Sequence, residues 1–169
     1  MNPEIKIRKS IHHWTLFFIV ALVFSGVTAF ALETELEWMN RILEDNHSSL
    51  SFWINHVHNA LRETNRQYPF LAYGYDWLAF AHVVLAIVFI GPYKDPVKNK
   101  WVIEFGMITC ALIIPFALIA GYYRGIPFWW RLIDCSFGIL GTIPLAICLR
   151  KTNMLEEHIA EEQIIEYSI

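Results

Sequence analysis

Of the ionisable side chains in or beside stretches of sequence that are otherwise apolar, His13, Asp76, His82, Arg131 and Asp134 stand out, while Glu104 sits at the inner edge of its stretch and reads as interfacial. A charged group at membrane depth costs several kcal/mol when unpaired, so it turns toward protein, and each such group is a functional candidate on that ground. Asp76, Arg131 and Asp134 are of the right types to neutralise one another. As a cluster they would either fix helix register as an ion-pair network or form a site for a polar ligand, ion or proton. His82, roughly midway along its apolar stretch, is the only histidine deep in one. An imidazole there has three uses: a hydrogen bond to a neighbouring helix, ligation of a haem iron, or proton transfer.

The remaining chemistry-bearing residues are weaker candidates. His56 and His58 have the types of a metal pair, yet two residues apart on a helix they point roughly 200° from one another. His12, His47 and His158 read as surface or interfacial histidines. Cys110, Cys135 and Cys148 all lie within apolar stretches, where small thiols pack as hydrophobes and no disulfide framework is implied. No nucleophile–base motif, phosphate loop, zinc spacing or dinucleotide fingerprint is present, so neither a catalytic residue nor a metal site is assigned. Whether the chain is an enzyme stays open, at most as an electron-transfer subunit of a membrane.

The elements that must position these residues follow from composition. Hydrophobic residues make up 56% of the 169 and charged residues 17%, against about 25% charged in soluble chains. The 13 Lys and Arg against 16 Asp and Glu leave a net charge of -3, which offers no basic surface for a phosphate backbone and excludes a nucleic-acid role. A hydrocarbon core about 30 Å thick needs roughly 20 apolar residues of helix. Four stretches come near that length, at about 12–32, 70–91, 102–122 and 127–149. The first ends at Ala29-Phe30-Ala31, a pattern similar to a signal-peptidase site, but its apolar run is too long for a signal core and the helix is expected to be retained.

Lys and Arg resist translocation, so their loops mark the inner side. Lys6, Arg8 and Lys9, then Lys94, Lys98 and Lys100, then Arg150 and Lys151 alternate with the sparser Arg41, Arg62, Arg66, Arg124 and Arg131. Both termini are therefore expected in the cytoplasm, of a bacterial inner membrane. Trp14, Trp77, Trp101, Trp129 and Trp130 fall near span ends, with Tyr73, Tyr75, Tyr122 and Tyr123, as an ordinary interfacial aromatic belt does.

Between the first two spans, Leu50, Trp53, Ile54, Val57 and Leu61 follow the spacing of an amphipathic helix, with Ser48 or Ser49 as its cap. It is expected on the outer membrane surface, either across the mouth of the bundle or as a connector with one apolar face. Asn46-His47-Ser48 is a glycosylation pattern that matters only in a eukaryotic secretory setting. Gly91-Pro92-Tyr93-Lys94-Asp95-Pro96 predicts a sharp inner turn. After Lys151 the chain carries Glu156, Glu157, Glu161, Glu162 and Glu166 with no Lys or Arg. That tail reads as an acidic amphipathic helix, either a solvated face or a docking surface for a basic cytoplasmic partner.

Inside the bundle, Ala72, Tyr75, Ala79, His82 and Ala86 share one stripe of the second span, with Asp76 at its border. Arg131, Asp134, Gly138, Gly141, Thr142 and Leu145 line one side of the fourth. Gly106 with Cys110, and Ala117 with Gly121, repeat the small-xxx-small spacing in the third. These are the expected packing faces, because small residues let helices approach closely in lipid.

The opening Arg8-Lys9-Ser10-Ile11-His12-His13-Trp14, followed by an apolar span with Ser25-Gly26, resembles the first helix of the di-haem cytochrome b subunits of formate dehydrogenases and nickel-iron hydrogenases. In that family a His-Trp at the inner start of the first helix supplies a haem ligand, and the matching position is His13. Length and four-helix plan agree. The likeness ends there, since the family's fourth helix carries two further ligands and residues 127–149 contain no histidine. His13 and His82 differ in depth by about 15 Å at 1.5 Å per residue, too far to share one haem. The resemblance thus implies at most a single haem b on His82 with another ligand, passing electrons to or from quinone.

Taken together, the sequence predicts an all-α fold: a four-span membrane domain over residues 1–151, an outer amphipathic helix between spans 1 and 2, and a cytoplasmic tail over 152–169. The expected partners are the lipid bilayer, a protein docked on the acidic tail and, in the cytochrome-like reading, quinone. The roles open to it are a small membrane subunit or scaffold of a larger assembly, a cytochrome-b-like haem protein, or a transporter or channel subunit built on Asp76, Arg131 and Asp134.

Overall fold

The computed structural model describes residues 3–43 and 48–167, with side chains described for residues 4–43 and 48–164. Asn46 and His47 of the glycosylation pattern lie outside the described residues. The element order is α1 (Pro3–Phe30), α2 (Leu32–Leu43), α3 (Ser49–Gln67), a 3-10 turn (Pro69–Ala72), α4 (Tyr73–Val88), α5 (Ile90–Lys94), α6 (Lys100–Tyr123) and α7 (Phe128–Tyr167). Among the described residues there is no strand. Four helical segments are long and apolar enough to cross a membrane: Glu4–Phe30, Pro69–Lys94, Lys100–Tyr123 and Phe128–Ile164. The all-α, four-span architecture read from the sequence is therefore the observed one, with α3 the amphipathic helix between spans 1 and 2.

Three elements run differently from the sequence reading. Helix α1 starts at Pro3, well before the apolar run, because its polar lead keeps helical spacing: Arg8 Nε meets Glu4 Oε1 at 2.8 Å, one turn apart. Helix α2 is a second amphipathic helix, at a place where the sequence reading assigns no element. At 12 residues it is marginal alone and is held by packing on α3, where Leu36, Ile54 and His58 are buried. Helix α7 runs 40 residues without a break, so span 4 and the acidic segment belong to one continuous helix. No glycine or proline follows Pro144 to stop it.

The chain divides into two compact units, one of residues up to Val20 and from Ala86 onward, the other Ala21–Leu85. In the first, α6 and α7 form the most extensive helix pair. Gly106, Cys110, Ala117 and Gly121 of α6 are buried, as the small-residue spacing predicts, and Gly138 of α7 meets the backbone of one of them: a Cβ there would lie 2.5 Å from the Cys110 carbonyl oxygen. The first part of α1 joins through Ile11, Thr15 and Phe18, all buried. Cys148 Sγ lies 3.5 Å from Thr15 Oγ1 and 3.8 Å from the Ile11 carbonyl oxygen, and the Phe18 and Phe89 rings are 4.7 Å apart.

The α5–α6 connection is a defined turn. Pro92 and Pro96 are fully buried. Asn99 Nδ2 donates to the carbonyls of Gly91 (3.2 Å) and Asp95 (2.9 Å). The Lys98 backbone N–H donates to the Asp95 carboxylate at 3.2 Å, and this bond holds the Asp95 pKa below its ordinary 3.8, with the Lys98 ammonium adding to it. Lys100 Nζ pairs with Glu156 at 2.8 Å, tying the start of α6 to the far part of α7.

In the second unit, Ser48 caps α3 by accepting the Ser51 backbone N–H at 3.2 Å. The end of α1 crosses α4 at Gly26, which is buried. On α4, Ala79 is buried and Ala72, Tyr75 and His82 are half-buried, the stripe expected from their spacing.

Candidate functional site

His82 enters the site as a residue of the α1–α4 crossing. Its Nδ1 donates to the Leu78 carbonyl one turn back, at 2.8 Å, which fixes the ring and leaves Nε2 as the free nitrogen. His13, on α1 in the other unit, is held the same way by the Lys9 carbonyl at 2.7 Å. Both rings thus carry the orientation that a metal-ligating histidine has. The crossing itself argues the other way. A Cβ built on Gly26 would lie 2.7 Å from the Ala79 carbonyl oxygen, 3.1 Å from His82 Cβ and 3.3 Å from Val83 Cγ2. With backbones this close, no macrocycle fits between α1 and α4 at the level of His82. The residues present do not fit a haem held between these two helices.

Asp76 lies in the first turn of α4 and is half-buried. Arg131 and Asp134 lie one turn apart on α7, also half-buried, in the other unit. Within that unit Arg131 is bound by aromatic rings and backbone rather than by carboxylate. Its guanidinium carbon stands 5.2 Å from the Phe128 ring centre and 5.9 Å from that of Tyr122. Nη1 donates to the Leu118 carbonyl at 3.2 Å. Its Cδ and Cγ lie against Gly121, at 2.5 and 2.7 Å from where a Cβ would stand, so only glycine admits the side chain there. Nε is shielded from solvent and has no acceptor.

The three thiols are free and buried. Two of them donate across helices, Cys135 to the Ile114 carbonyl and Cys148 to that of Ile11, both at 3.8 Å, which is packing chemistry. His58 is buried and His56 exposed, the opposed directions that their spacing demands. Among the described residues no three His, Cys, Asp or Glu side chains converge as a metal site would require.

One polar chain escaped the sequence reading. Tyr75 Oη donates to Asn65 Oδ1 at 3.3 Å, and Asn65 Nδ2 donates to Glu33 Oε2 at 2.7 Å. It links α2, α3 and α4 through residues 10 and 32 apart in sequence, a separation that helical periodicity does not register. The available signal was Asn65 itself, a polar residue one turn past Leu61 on the apolar stripe of α3. Comparison of the chain with protein-family models, curated proteins and solved structures finds no match.

Proposed function

We propose that this chain is a multi-pass membrane subunit that carries no redox cofactor and packs into a larger assembly. The observation that carries this reading is the α1–α4 crossing, where the one deep histidine abuts Gly26 and the gap a cofactor would need is filled by backbone. Two further features support it. Several polar groups of the spans bond to carbonyls of their own or neighbouring helices: Thr142 to Gly138, Thr109 to Phe105, and Arg131 to Leu118. The most apolar windows of the spans are only 17–28% buried within the chain, so wide apolar faces remain for lipid and for partner helices.

The distribution of Lys and Arg over the loops supports both ends of the chain on the cytoplasmic side, where the exposed Glu157, Glu161 and Glu162 near the end of α7 would face a basic partner. Native gel electrophoresis of the chain, extracted in mild detergent from its own membranes, tests the proposal. A discrete species much larger than the chain with its detergent belt is expected. Migration as the isolated chain under several mild detergents overturns it.

A second reading has one observation in its favour. The Nδ1–carbonyl bonds of His82 and His13 leave both Nε2 atoms free, as ligands of haem b in an electron carrier to or from quinone would be.

A further inference from the structure

The Arg131 setting holds an unmet charge. A guanidinium is always cationic and presents five N–H donors in a planar fork that matches phosphate oxygens. Within its unit and among the described residues, Arg131 makes one hydrogen bond, to the Leu118 carbonyl, and pairs with no carboxylate. Asp134, one turn along the same helix, is outside ion-pair distance. The side chain is nonetheless held in place: its stem rests on Gly121, and the Tyr122 and Phe128 rings flank the guanidinium. Fixing it beforehand removes most of the side-chain entropy that binding would otherwise cost.

Its place along the helices indicates where the counter-charge comes from. Arg131 lies in the first turns of α7, just past the loop that contains the one positive-φ residue among those described, Gly125. Around that loop stand Tyr122, Tyr123 and Phe128, all exposed, and the packed pair Trp129–Trp130. Such a belt marks the depth of lipid headgroups. We propose that Arg131 binds the phosphate of an anionic phospholipid at the α6–α7 end of the bundle. The ligand chemistry is a phosphate oxyanion, and its source is a headgroup rather than free phosphate because the site lies at membrane depth.

Native mass spectrometry of the full chain in detergent tests this, with phosphatidylglycerol, diacylglycerol and inorganic phosphate as probes. Wild type is expected to retain phosphatidylglycerol at least about tenfold more tightly than diacylglycerol, which lacks the phosphate. Arg131→Met keeps the stem and should bring the two lipids level, whereas Arg124→Met should leave the preference intact. Arg131→Lys keeps the charge without the fork and should bind in between, so that a folding defect of the methionine variant does not decide the matter. Binding of inorganic phosphate with displacement of the lipid would keep the phosphate site and move its source to the aqueous phase. Equal retention of both lipids by wild type, or full retention of phosphatidylglycerol by a folded Arg131→Met chain, overturns the proposal.

Discussion

Gly138 and Gly74 differ by what stands opposite them. A methyl group on Gly138 would lie 2.5 Å from the Cys110 carbonyl oxygen, a backbone atom that cannot swing aside, while nothing lies within 4 Å of one on Gly74. Gly138→Ala is therefore expected to cost about 1–3 kcal/mol of stability through overpacking. Gly74→Ala should leave it unchanged or slightly raised, by helix propensity. Thermal unfolding in detergent compares the two, and equal midpoints would contradict the close α6–α7 approach. At this scale much was legible: spacing alone picks out Gly106, Cys110, Ala117, Gly121 and Ala79 as buried. The clamp on Arg131 was not, because Tyr122 and Phe128 belong equally well to an interfacial belt, and only the fold brings their rings to the guanidinium. The position of His82 against Gly26 also needed coordinates, since a glycine that leaves room for a cofactor and one that admits another helix look alike in sequence.

Among the elements, α3 could be read from its apolar spacing and its Ser48 cap, whereas α2 gains its stability from a partner helix and could not. The Glu33–Asn65–Tyr75 chain holds α2, α3 and α4 in register. Asn65→Leu removes both hydrogen bonds, each worth about 0.5–1.5 kcal/mol net. Hydrogen exchange is expected to accelerate in 32–43 and 49–67 and to stay unchanged in the α6–α7 pair; a uniform response would remove the special role of Asn65. The α5–α6 turn makes a pH prediction. The Lys98 backbone N–H holds the folded pKa of Asp95 below its ordinary 3.8. The ionised carboxylate thus stabilises the turn fully above that ordinary value, and its contribution is lost as pH falls through the lower folded one. Asp95→Asn should be less stable than wild type at neutral pH, with the difference in unfolding midpoint closing below about pH 3.8. A difference that does not vary with pH would contradict the assignment.

For the whole molecule, the count of spans followed from run length and hydrophobicity, because a bilayer imposes one length on every crossing helix. The extent of α7 did not, because Arg150 and Lys151 mark a membrane edge without being helix breakers. Its 40 residues make a rod of about 60 Å, roughly twice the hydrocarbon thickness, so it must continue into water. The central claim is that the close approach of α1 and α4 at Gly26 leaves no room between those two helices for a haem at His82. The most direct test is the reduced-minus-oxidised absorbance spectrum of the full chain purified from haem-replete cells. The account predicts a colourless protein with no Soret difference. A b-type difference band that disappears in His82→Ala would contradict it.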